Sequence, residues 1–184
     1  MAACEFITNG RLLECKNYTG GLVNAFFAPF SDIGATVVNS ELTGLGTLDE
    51  VFKFELKNTG NTYIETETAS RDNGTIFYDS QLSLVLTGLT APLVNQAKLL
   101  SRDRMLIFLE DNNGRYHAIG LKNGADKTTG TRELGGALGD FYGLKMTLQA
   151  LEPETAPLLS DAAITSLLAL VSDEYVNGGT APSV

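Results

Sequence analysis

Residues 105–120 constrain the fold of this chain more than any other stretch. Met105, Leu106, Ile107, Phe108, Leu109 and Glu110 form a β-prone apolar run, Asp111-Asn112-Asn113-Gly114 supplies turn chemistry, and Arg115-Tyr116-His117-Ala118-Ile119-Gly120 returns in alternation. Two such runs joined by a short turn specify an antiparallel hairpin, because Asn and Gly accept the left-handed backbone that a tight turn needs. An isolated hairpin is marginal in water and leaves two edges of unpaired N–H and C=O groups, so further strands must flank it.

The remaining sequence supplies them. Over residues 51–57, Phe52, Phe54 and Leu56 alternate with Lys53, Glu55 and Lys57, the pattern of a half-buried strand. Its expected partner is 62–69, reached through Asn58-Thr59-Gly60-Asn61, and in that partner Glu65 and Glu67, two residues apart, share a face. Asp72-Asn73-Gly74 then turns the chain into a long strand over 75–86, with Leu82, Leu84 and Leu86 opposite Gln81, Ser83 and Val85. Residues 141–151 alternate again through Tyr142, Leu144, Met146 and Leu148. Nearer the N-terminus, Asn9-Gly10 between Phe6-Ile7 and Leu12-Leu13 predicts a hairpin over 5–15, residues 22–28 read as a buried strand ending at Pro29, and 31–47 as strand and loop.

Two helices are expected. Thr90 followed by Pro92 marks a start, and Leu93, Val94, Ala97, Leu99 and Leu100 give helical spacing over 92–103. Ser160 or Asp161 caps a short apolar helix over 162–171, and 177–184 reads as a frayed end. Residues 121–140, rich in Gly and Thr, read as a long loop, too long to be idle in a compact domain. The chain is therefore expected to be mainly β (α+β): an antiparallel β-sandwich or half-barrel with one flanking helix and a short C-terminal helix. A β domain over 1–155 carries a C-terminal extension over 156–184.

Charge narrows the function classes. Thirteen Lys and Arg against 22 Asp and Glu give a net charge of −9, so the surface as a whole repels phosphate and sequence-reading nucleic-acid binding is disfavoured. The basic residues are scattered and form no stripe. The start of the chain shows no basic region followed by an apolar run, and no stretch reaches the length of a membrane span.

Catalytic chemistry is hard to assemble. His117 is the single histidine and lies in a strand, without a nucleophile-elbow Ser or Cys. Glu65 and Glu67 read as a solvated strand face, since a carboxylate pair needs a chemical partner. The glycines of 130–143 match neither a dinucleotide fingerprint nor a P-loop, and Asp111-Asn112-Asn113-Gly114 lacks the regular acidic ligands of a calcium loop. Cys4 and Cys15 read as two reduced thiols and alone make no zinc site. The expectation is a non-enzyme with no cofactor and no metal. The competing class is a β-sandwich binding module for carbohydrate or protein ligands, with Tyr63, Phe77, Tyr78 and Tyr116 as its candidate aromatic platform.

Three stretches carry a family resemblance: Asn73-Gly74-Thr75-Ile76-Phe77-Tyr78 ahead of a long strand, Ile107 through Tyr116 with Ala118 through Gly124, and Gly139-Asp140 before Phe141-Tyr142-Gly143-Leu144-Lys145-Met146-Thr147-Leu148. Over 51–155 this order resembles bacteriophage tail-tube proteins and the related tube-fold proteins of neck and tail. The resemblance implies a subunit that assembles edge to edge into a homo-oligomeric ring, usually a hexamer, lining a channel through which genomic DNA passes without specific binding. Other tail or neck proteins would be its partners, and the virion, assembled in the host cytoplasm, its location. On that reading Glu65 and Glu67 are candidates for the lumen face, and Asn58, Thr59, Asn61, Lys127, Thr128, Thr129 and Arg132 lie in loops that reach between subunits.

Overall fold

The computed structural model describes residues 9–12, 16–57 and 59–172. The elements in chain order are β1 (Leu22–Pro29), β2 (Thr36–Val38), β3 (Glu41–Gly44), β4 (Phe52–Glu55), β5 (Thr62–Ser70), β6 (Thr75–Thr87), α1 (Ala91–Leu99), β7 (Met105–Asp111), β8 (Tyr116–Ile119), β9 (Asp126–Glu133), β10 (Gly143–Glu152), β11 (Leu158–Leu159) and α2 (Asp161–Ala169). They build a mainly β fold of two sheets, one of seven strands in the order β2-β3-β11-β8-β7-β1-β4 and one of four in the order β5-β6-β10-β9.

The hairpin over 105–120 stands at the centre of the larger sheet, where Phe108 faces Ala118 and β1 closes the other flank with Phe26 opposite Phe108. At its centre both faces of this sheet are covered, which is why β1 and β7 read as continuous apolar runs rather than alternating ones. One face carries Ala25, Phe27, Ile107 and Leu109 into a core shared with Leu82, Leu84, Met146 and Leu148 of the smaller sheet, closed at one end by Leu93 and Ala97 of α1. The other face carries Phe26, Phe108 and Leu106 into a second core, with Leu42, Val51 and Leu167 of α2. The segment after residue 155 thus belongs to the sandwich: β11 runs parallel to β3 and antiparallel to β8, and α2 is capped by the Ser160 hydroxyl, which accepts the Ala163 N–H.

Three expectations change. The strand at 52–55 pairs with β1 and not with 62–69, because Leu56 turns into the core, its N–H donating to the Val23 carbonyl over 2.8 Å, and the chain crosses to the other sheet. The stretch read as a loop over 121–140 contains β9, which pairs with β10 through Thr131, Thr129 and Lys127. Its β-branched threonines suit a strand, but as an edge strand it is exposed on most positions and shows no apolar alternation. Helix α1 ends at Leu99, short of Asp103, where turns carry the chain to β7. Both runs of the hairpin expected over 5–15, together with Cys4, Cys15, Asn58 and 177–184, lie wholly or in part outside the described residues. Among those described, no helix is long and apolar enough to cross a membrane.

Candidate functional site

The feature that stands out is the smaller sheet, which among the described residues has one covered face, one open face and two free edges. Its three pairings are all antiparallel, so β5 and β9, at opposite edges, also run antiparallel to each other. The edges are nearly matched, nine residues in β5 and eight in β9.

Register assigns each side chain to a face, since directly paired residues project to the same side. Toward the larger sheet point Tyr63 beside Leu82 and Leu148, and Glu65 beside Ser80 and Ala150. On the open face lie rows of hydroxyl and amide groups: Thr62, Ser83, Thr147 and Thr129 in one, Ile64, Gln81, Gln149 and Asp126 in the next. Gln149 and Gln81 both donate to Asp79, at 2.8 and 3.2 Å, and Lys145 bridges to Glu133 at 2.9 Å. With Asp79, Asp126 and Glu133 against Lys145, this face is net acidic, and Ile64 and Leu151 stand exposed among its polar groups.

Glu65 and Glu67 are not on it. Both sit on the side turned toward the larger sheet, because Glu65 pairs with the buried Ser80. The Glu65 carboxylate accepts from the Thr155 hydroxyl, the Ala156 N–H at 2.9 Å, the Ser80 hydroxyl at 3.2 Å and the Tyr63 hydroxyl at 3.1 Å. Burial pushes its pKa up, but these donors outweigh burial and hold it below the usual carboxylate range. Burial beside this carboxylate pushes the Tyr63 phenol well above its usual value. Glu67 shares the face but is exposed.

The four expected loop residues Lys127, Thr128, Thr129 and Arg132 stand on the β9 edge instead. Lys127 points inward and donates to the Ala97 carbonyl at the end of α1, 2.9 Å, and burial lowers its pKa. Thr128 occupies a bulge and donates to the Thr147 carbonyl. Thr129 is on the open face, and Arg132, opposite Leu144, is exposed on the other. Thr59 and Asn61 do sit in the crossover and line an open groove with Lys53 and Lys57, but the Asn61 side chain accepts the Val85 N–H at 2.8 Å and fastens the crossover to β6.

A second feature had no sequence signal beyond its turn. Residues 75–77 pair with β5 alone, past the end of β10, so the β5–β6 hairpin extends as a two-stranded arm. Ile76 and Phe77 on this arm are exposed. Strand periodicity alone cannot show that a neighbouring strand stops short.

The aromatic platform does not assemble. Tyr116 is buried in the second core, Tyr63 is held in the Glu65 network, and Phe77 and Tyr78, being adjacent in one strand, face opposite ways. His117 places Nε2 3.7 Å from Asp111 Oδ2 and its ring 6.2 Å from that of Tyr63. Burial pushes the Asp111 carboxyl up, but N–H donors from Arg115 and Asn113 hold it below its usual range, which describes a turn-forming aspartate. Among the described residues no group of three or more His, Cys, Asp or Glu side chains converges to hold a metal ion. Glu152, largely buried, accepts from the N–H groups of Lys122 and Asn123 and closes the turn after β8 against a cavity of about 40 Å³, room for about one water.

Fold and surface together define a β-sandwich whose smaller sheet is open on one face and at both edges. No protein-family model, no curated protein and no solved structure matches the chain.

Proposed function

We propose that the protein is a structural subunit that closes into a homo-oligomeric ring around a channel, as a building block of a bacteriophage tail tube or neck ring. The observation that carries this reading is the smaller sheet with its two antiparallel, nearly matched free edges. When β9 of one copy adds to β5 of the next, the sheet continues with every pairing still antiparallel, and a rotation that closes leaves no edge exposed.

Charge favours such a joint. On the side facing the larger sheet, β5 carries the exposed Glu67 and β9 the exposed Arg132, whereas Glu65 and Lys127 are engaged within the chain. The open face would then line the channel. Its Thr, Ser and Gln side chains and net negative charge give a DNA phosphate backbone no array of cations to release counterions onto, so DNA slides past. The exposed arm with Ile76 and Phe77 is the kind of two-stranded, partly apolar ribbon that is completed by a neighbouring subunit. Negative-stain microscopy tests the proposal: rings with a stain-filled centre support it, and featureless particles of single-chain size reject it.

A further inference from the structure

The register of the larger sheet lines up Val38, Glu41, Leu158 and His117 across β2, β3, β11 and β8, and continues the same row to Leu109 and Ala25. All six point to the side of the smaller sheet. At Leu109 and Ala25 that side is fully covered, with exposure of 0% for both, whereas Leu158 is 36% and Val38 53% exposed. The cover ends where the Tyr63 ring of β5 meets the His117 ring. Beyond it, past the strap whose Thr155 and Ala156 bond Glu65, β11, β3 and β2 carry the larger sheet on as a shelf with two apolar side chains, Leu158 and Val38, and the Glu41 carboxylate exposed.

We propose that this shelf is the seat for β9 of a second copy of the chain. The inference rests on the edge-to-edge joint proposed above and adds a second surface to it. On the joint's inner side, β9 presents Arg132, exposed in the single chain. Seated on the shelf, its guanidinium enters between Glu41 of β3 and Glu67 of β5, both exposed carboxylates on the same side as the shelf. Its aliphatic stem then covers Val38 and Leu158. The overhang of the larger sheet thereby sets where the neighbour sits, because backbone hydrogen bonds along the β5 edge by themselves fit more than one register.

A charge swap tests this. Glu41→Lys and Arg132→Glu are each prepared singly and together, and the association constant is measured by analytical ultracentrifugation alongside the parent chain. Both sites are exposed, so unchanged circular-dichroism melting is expected and confirms that each variant folds. Each single variant is expected to weaken self-association by about tenfold or more, and the double variant to recover most of that loss. Single variants that assemble like the parent, or a double variant no better than the singles, overturn the shelf contact while leaving the ring intact. A parent chain that sediments as a monomer overturns both the joint and the shelf.

Discussion

Ala156 donates its backbone N–H to the carboxylate of Glu65 across 2.9 Å, and so fastens the edge strand of the smaller sheet to the strap that returns the chain to the larger one. The Thr155 hydroxyl, one residue earlier, donates to the same carboxylate. This places Glu65 among the groups that hold the two sheets in relation, whatever the oligomer does.

Glu65→Ala strips three neighbouring hydroxyls and one N–H of their acceptor and is expected to destabilise the chain by about 1–3 kcal/mol. Glu67→Ala, exposed on the same strand, is expected to stay within about 0.5 kcal/mol. Urea unfolding of the two variants checks the contrast. Equal losses would remove the anchoring role of Glu65.

The two carboxylates also predict opposite responses to pH. The folded pKa of Glu65 is depressed below 4.5, so its contribution is present above that value and fades as pH falls through the folded pKa. Burial raises the folded pKa of Glu152 above 4.5 despite its N–H donors, so the folded state is favoured while Glu152 is protonated and loses that advantage as pH rises through the folded value. Glu65→Gln is therefore expected to cost most at neutral pH and progressively less as the pH falls through the folded pKa, and Glu152→Gln to gain stability relative to the parent as the pH rises through the folded pKa but not in acid. Thermal melting of each variant across this range reads both signs.

Helix α2 is expected to be part of the cooperative unit. Leu167 is fully buried in the second core, and Leu167→Ala should cost about 2–5 kcal/mol. Leu168, the next residue, is 47% exposed, and its replacement by Ala should cost far less. Hydrogen exchange protecting α2 as strongly as β7 would agree, and early loss of α2 would not.

The arm separates folding from assembly. Replacing Ile76 and Phe77 by Ser is expected to leave melting of the single chain within about 0.5 kcal/mol while lowering the assembled fraction. A variant that assembles as the parent does would remove the arm from the interface.

Much of this architecture was legible in residue order. The hairpin over 105–120, the long strand ending in Leu82, Leu84 and Leu86, the final strand through Met146 and the Ser160 cap each follow from local turn chemistry or alternation, and each was found. Pairing across distance was not. Residues 52–55 and 62–69 looked like one hairpin because Asn58-Thr59-Gly60-Asn61 has turn composition, yet the same residues serve equally well as a crossover between sheets once Leu56 is drawn into the core. Strand β9 carries no such signal, because an exposed edge strand has no apolar face to alternate. The face of Glu65 and Glu67 was seen as shared, but which side of the sheet it took depended on Ser80 and Ala156, far along the chain.

The central claim is closure of the smaller sheet, β9 to β5, from copy to copy. Light scattering of the purified full chain over a wide concentration range tests it most directly. The account predicts a largest species at one fixed whole-number multiple of the 19.7 kDa chain that does not grow with concentration, because a closed ring leaves no edge for further growth. A mass of 19.7 kDa at every concentration would contradict it.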